Sequence, residues 1–373
     1  MSSPRPVWAE IDLRAIRRNV ETIRQRLVGG ARFLAVVKGF GYGHGDVEPA
    51  KAALAAGASW LGVVLVDEGV RLREAGIDAP ILLMHEAPPE RAADVLRYGL
   101  TPCVFTEGGV AGLADAAERA GKSVAVHLKI DTGLNRLGVP FAHLSDFVAV
   151  LAKEPRIDIE GAFSHFAFAD QPANPFVDDQ LARFVEALEF LAREGITPAL
   201  THIGNSAAAL SRPDTHLDMV RVGIATYGLS PGPAVPGTEV LEPALSLKAR
   251  VAMVKRVPAG EGVSYGLRYR LERPGTIASL PLGYADGWAR RLSGRADVLV
   301  GGRRHPAVGT VCMDSFMVDL GEAECDVGDE AVVIGRQGDE RITADELAER
   351  SETINYEIVT SISARVPRVY AGT

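Results

Sequence analysis

Cysteine is scarce in this chain. There are three in 373 residues, Cys103, Cys312 and Cys325, an odd number that cannot all pair, at a spacing that matches no zinc pattern. That argues against a disulfide framework and fits a reducing cytoplasm. Positive charge is also in deficit: 40 Lys and Arg stand against 48 Asp and Glu, a net charge of −8. With no basic run or basic-aromatic stripe, nucleic acid is not an expected partner. No stretch approaches the roughly 20 apolar residues of a membrane helix. Residues 1–10 lack the basic-then-apolar order of a signal peptide. The expectation is a cytoplasmic protein with no membrane or nucleic-acid partner. What the chain has is apolar content, 47% of its residues, and length enough for two domains or one barrel with an extension.

Residues 13 to about 230 alternate between helical and strand patterns. Asp12 is placed to cap a helix whose apolar positions are Leu13, Ile16, Val20, Ile23 and Leu27, stopped by Gly29 and Gly30. Short apolar runs then recur at 33–37, 60–66, 81–85, 100–105, 124–130, 159–163, 200–203 and 219–222, with amphipathic stretches between most of them. Eight buried strands with intervening helices predict a (β/α)8 TIM-type barrel over 12–235. A doubly wound open sheet is the alternative. The stretch 229–238 is rich in Gly and Pro, as a linker would be. Beyond it, β-like runs at 244–257, 276–281, 296–299 and 331–335 predict a mainly β domain over 240–373 with little helical periodicity. A β-like segment at 7–11 is expected to add a strand to that domain.

In such a barrel, function sits at the C-terminal ends of the strands. The first run closes on Lys38, followed by Gly39-Phe40-Gly41-Tyr42-Gly43-His44-Gly45. The fifth leads into Lys129, Asp131, Thr132, Gly133 and Arg136. The sixth leads into Ser164-His165, the seventh into Gly204-Asn205-Ser206, and the eighth into Arg221, Gly223 and Ile224. Polar residues thus cluster at one mouth. A lysine ending a buried strand is costly as a cation, and a neutral amine is a nucleophile toward an aldehyde. For one lysine alone, a snorkelling surface residue is the favoured reading. The four glycines that follow let backbone approach a ligand closely.

The run from Val37 to Gly45 resembles the pyridoxal-phosphate attachment motif of alanine racemases. Further stretches match in order across both regions: Lys129 to Gly138, Ser164 to Ala167, Asn205-Ser206-Ala207, Arg221 to Ile224, Val263 to Gly266, Gly283 to Trp288, Val311 to Asp314, and Tyr356 with Arg365 to Arg368. The chain departs from that pattern at Gly39 and Phe40, where the family usually has Ala then Asp or Asn. It departs again at Leu134 in place of Met, and at Thr310 where many members have Arg.

The resemblance implies a pyridoxal 5'-phosphate enzyme that interconverts L- and D-alanine with two bases. Lys38 would attach the cofactor and serve one face of the substrate, and Tyr265, from the second domain, the other. A tyrosine is a poor base at its reference pKa of about 10, so it needs help. His165 and Arg136 are similar to the family's supporting residues, and Arg136 would also hold the substrate carboxylate. Arg221 would face the pyridine nitrogen. Tyr42, Asn205, Ser206, Tyr356 and the backbone of Gly223 and Ile224 would complete the cofactor site, the last two opening a short helix. Met313 would line the substrate pocket, with Cys312 as packing beside it. Lys129 resembles a lysine carbamylated in many members; an ordinary lysine bonded to Asp131 is the alternative. His44, His127 and His202 read as structural. A homodimer with shared sites is expected. Four other readings stand beside this one: a racemase of another small amino acid such as serine, a barrel-type decarboxylase using the same cofactor, a single-barrel cofactor-buffering protein, and a plain metabolic barrel without the cofactor. Arg221 argues against the second and the 240–373 region against the third.

Overall fold

The computed structural model describes residues 6–372, and within it the chain divides into two compact units. One comprises residues 15–41 and 46–242; the other comprises residues up to 14, the short stretch 42–45, and 243 onward.

The larger unit is built on eight parallel strands: Arg32–Val36, Trp60–Val63, Ile81–Leu83, Thr101–Val104, Val124–Asp131, Ile157–Phe163, Leu200–His202 and Met219–Val222. The eighth pairs in parallel with the first, Arg221 opposite Leu34. Between the seventh and eighth, Asp218 N donates to Thr201 O at 3.1 Å and Arg221 N to Gly204 O at 2.9 Å. Strand order therefore follows chain order and closes on itself. This is a (β/α)8 barrel, and the doubly wound open sheet is excluded. The first strand is buried over residues 33–36, as expected where helices cover one face of a strand and the lumen the other. Helix Leu13–Arg24 buries Leu13, Ile16, Val20 and Ile23. Each such side chain contributes about 1.5–3 kcal/mol on burial. Asp12 accepts from the Arg14 amide at 2.8 Å, a capping contact on a free helical N–H.

The second unit is mainly β. Its ten-stranded sheet includes Val7–Asp12, paired antiparallel to Leu245–Arg250 and parallel to Arg368–Ala371. The run 244–257 is two strands, Leu245–Arg250 and Met253–Val257. Strands at Arg303–Val308 and Phe316–Gly321 and helices at Ala344–Ser351 and Asn355–Thr360 lay outside the sequence reading. The first of these helices is capped by Thr343, whose hydroxyl accepts from the Glu346 amide. Among the described residues, no helix is long and apolar enough to cross a membrane.

Candidate active site

Lys38 begins a left-handed turn. Gly39, Phe40, Gly41 and Tyr42 hold φ of 61°, 55°, 58° and 52°. Residues other than Gly, Asn and Asp rarely adopt such angles. The turn is clamped by Glu68, a buried carboxylate whose Oε1 accepts from Gly39 N at 2.7 Å. Its Oε2 accepts from Val64 N and Leu65 N at 2.9 and 3.0 Å. The glycines divide by role. A Cβ on Gly39 would meet open space. A Cβ on Gly43 would lie 2.0 Å from Val359 O, and one on Gly45 would lie 1.9 Å from the Tyr370 hydroxyl. The last two glycines thus serve chain packing rather than ligand approach.

Four cations gather at the barrel mouth and in its upper lumen. Burial, then Arg136 and Arg221, hold the Lys38 ammonium below its ordinary pKa against an opposing pull from Glu68. Lys129 is pushed down to about 8, first by burial. Its Nζ donates to Met84 O at 3.1 Å and stands 5.0 Å from the Phe163 ring centre. Asp131 instead accepts from the amides of Gly133 and Asn135, so the Lys129–Asp131 bond considered from sequence is not formed. Arg136 lies exposed in the loop after the fifth strand.

Arg221 is buried, and its NH2 reaches Ser164 O at 2.7 Å and His165 Nδ1 at 3.0 Å. Its NH1 donates to His202 Nδ1 at 2.8 Å. Burial and Arg136 lower its pKa to about 9, which leaves the guanidinium charged at neutral pH. His165 and His202 are pushed well below the usual imidazole range, first by burial and then by Arg221, so both are neutral. Ser206 follows Asn205, which caps helix Ser206–Ser211 by accepting from Ala208 N. The Ser206 hydroxyl accepts from Gly223 N at 2.9 Å, which fastens the seventh strand's loop to the eighth's. After Gly223 the chain forms a single 3-10 turn, Ile224–Tyr227.

The remaining residues belong to the second unit. Tyr265 sits on the turn of a two-stranded ribbon, Gly262–Val263 against Tyr269–Arg270. The turn holds Ser264, Gly266 and Leu267 at positive φ, and Tyr265 is 75% exposed. Ser264 Oγ donates to Thr310 O, and Thr310 Oγ1 donates to Tyr265 O at 2.8 Å. Tyr265, Ser264 and Cys312 line one open hollow of about 680 Å³. Met313 is exposed on a loop strapped down by the Gly283–Trp288 motif. Tyr284 N donates to Cys312 O, Ala285 N to Met313 O, and Arg365 bonds Asp314 at 2.6 Å. Tyr42 and Tyr356 face each other with ring centres 6.1 Å apart, and burial raises the Tyr42 pKa.

Sequence reasoning read His202 as structural, without its bond to Arg221, and did not single out Glu68. A strand-alternation signal was available: His127 and Lys129 are two apart on one strand and so share a face.

A model of the alanine racemase N-terminal domain matches residues 11–231, and one of the C-terminal domain matches 244–370. An alanine racemase of Symbiobacterium thermophilum is 48% identical over 369 residues, covering 99% of this chain and 98% of that protein. One from Carboxydothermus hydrogenoformans is 47% identical, covering 98% and 100%. Among solved structures, the alanine racemase of a D-cycloserine-producing Streptomyces lavendulae superposes with a TM-score of 0.95 at 42% identity, covering 100% of this chain and 98% of that one. That of Bacillus anthracis with bound L-Ala-P gives 0.94 at 42% identity, covering 100% and 96%.

Proposed function

Since the chain belongs to the alanine racemase family and is a racemase of alanine, we propose that it works with pyridoxal 5'-phosphate held by Lys38 and with Lys38 and Tyr265 as opposed bases. The observation that carries this is the state of Lys38: an amine depressed by burial and by two arginines, at the mouth of a barrel, on a turn clamped by Glu68. The residues suit the cofactor. Lys38 offers an amine for attachment and Arg136 a guanidinium for the substrate carboxylate, while the phosphate needs polar donors. Ser206, Asn205 and the backbone at Gly223 and Ile224 lie together where the seventh and eighth strands end. Tyr42 and Tyr356 are the hydroxyls proposed for the same phosphate. When bound, the cofactor supplies an electron sink that acidifies the substrate Cα–H.

The protein's part is to remove that proton on one face and supply another on the opposite face. A neutral Lys38 amine accepts it on one side, and the Tyr265 hydroxyl delivers another on the opposite side. His165 supports Tyr265 while staying neutral beside Arg221. Arg136 and Met313 hold the substrate, Arg136 through its carboxylate. Arg221 can only donate toward the pyridine nitrogen, because a guanidinium does not give up its proton readily. That keeps the electron sink weak, which fits racemisation better than decarboxylation. Lys129, near neutrality at about 8, is the amine proposed to take up carbon dioxide as a carbamate that orients Arg136. The three cysteines are free, as suits a reducing compartment.

Loss of optical rotation from L-alanine, with no carbon dioxide released, is the expected result with purified protein. Borohydride reduction and peptide mapping should place the pyridoxyl group on Lys38. Labelling at Lys129 instead would overturn the assignment.

A further inference from the structure

The barrel lumen holds two histidines that the proposed mechanism does not use, and they are not isolated. His202 Nε2 lies 2.8 Å from His127 Nδ1, both rings fully buried. His127 Nε2 has no hydrogen-bond partner, and 3.7 Å from it stands Glu160 Oε2, on a side chain 35% exposed. The arrangement is built into the strands. A register shift in the pairing of the fifth and sixth strands sets His127 opposite Gly161, and a Cβ there would lie 2.4 Å from the imidazole. Only glycine leaves room for the ring. Trp60 packs on His127 at 5.5 Å between ring centres, and Phe163 stacks on His202 at 4.9 Å, with planes 6° apart.

The proton positions follow by elimination. The Arg221 guanidinium has only N–H donors to offer, so His202 Nδ1 must be the acceptor. A neutral His202 then carries its proton on Nε2 and donates to His127 Nδ1. His127 in turn carries its proton on Nε2, pointing at Glu160. The reverse direction would set an N–H against an N–H 2.8 Å away. None of the hydrogen bonds found for Arg221 goes to a carboxylate; its acceptors are histidine nitrogens and backbone carbonyls.

We propose that Glu160 and His127 are positioning residues for Arg221, ending a one-way chain of donors from Arg221 through His202 and His127 to a carboxylate. Each ring turns its bare nitrogen toward the Arg221 end of the chain and its N–H toward the Glu160 end. The chain thereby holds the arginine's orientation and passes a carboxylate's influence to a buried cation across two neutral rings. The proposal rests on the reading of Arg221 given above.

Long-range proton–nitrogen NMR on histidine-labelled protein, without added substrate, reads the tautomers directly. Both His202 and His127 should carry their proton on Nε2. A proton on Nδ1 of either ring, or a doubly protonated His202, would overturn the proposal while leaving the reading of Arg221 standing. Glu160→Leu should shift the Nε2–H resonance of His127 and lower kcat about tenfold with KM for alanine within about twofold. Glu160→Gln keeps an accepting oxygen and should retain most of the activity. Wild-type kcat in Glu160→Leu, or equal losses in both variants with unchanged ring resonances, would show a packing role and overturn it. Full activity in Arg221→Leu would overturn the reading of Arg221 and this role together.

Discussion

Phe40 is a bulky L-residue held at φ 55°, in a turn where the family usually has Asp or Asn. A left-handed conformation costs roughly 1–2 kcal/mol for most side chains, less for Asn. Phe40→Asn is therefore expected to stabilise the protein by about 1 kcal/mol, as read from urea unfolding; a loss of stability would mean that the ring's packing outweighs the backbone strain. The buried imidazoles make a second prediction. His127, His165 and His202 all have folded pKa values below 6.5, chiefly through burial. Below about pH 6.5 the unfolded chain takes up protons that the folded chain refuses, so stability falls as pH falls. Urea midpoints should drop steadily on acidification from that pH. A flat profile in the mildly acidic range would contradict the neutral assignment.

At the scale of elements, the ribbon at 262–270 carries Tyr265 on a turn with three positive φ values. Its shape depends on the neighbouring loop, where a Cβ on Gly309 would lie 2.7 Å from Val263 O and 2.9 Å from Ser264 Cβ. Gly309 is itself at φ +69°, so Gly309→Ala strains the backbone as well as crowding it. The ribbon must then shift. Since a misplacement of about 1 Å can cost on the order of a hundredfold in rate, kcat should fall by about that factor with the fold retained by circular dichroism. An unchanged kcat would separate Tyr265 from the chemistry. In the barrel, Lys129 sits on the fifth strand with its amine near neutrality. Labelled bicarbonate should give a carbamate carbon resonance that Lys129→Arg lacks; no such signal in the wild type would leave Lys129 an ordinary buried amine.

Across the whole molecule the proposed reacting groups fall into two sets. Lys38, Arg136, His165 and Arg221 belong to the barrel unit, and Tyr265 and Met313 to the β unit. Proton transfer needs both sets within hydrogen-bond reach of one substrate. A two-fold dimer that supplies Tyr265 from the partner meets that need twice. Lys38→Ala and Tyr265→Phe, each inactive alone, should then complement when subunits exchange. One pocket of each mixed dimer collects both defects and the other neither, so each mixed dimer regains about half the wild-type activity. If mass analysis shows exchange and no activity returns, the sites are built within single chains.

Apolar periodicity determined the barrel, because burial on both faces of a parallel strand forces continuous apolar runs that can be seen without coordinates. The positions of Lys38, Lys129, His165, Ser206 and Arg221 were legible for a related reason: each polar residue interrupts or ends such a run. The strands at 303–308 and 316–321 and the two C-terminal helices were not legible, since they are short and only partly apolar. The tertiary structure alone decided the contacts between segments far apart in the chain. Glu68 and Gly39 lie 29 positions apart, and His127 and His202 lie 75 apart. Gly161 looks like a weak point in a strand until His127 is set against it by a register shift. Local pattern carries no record of which distant side chain fills a given space, because packing in the lumen is settled only when the barrel closes.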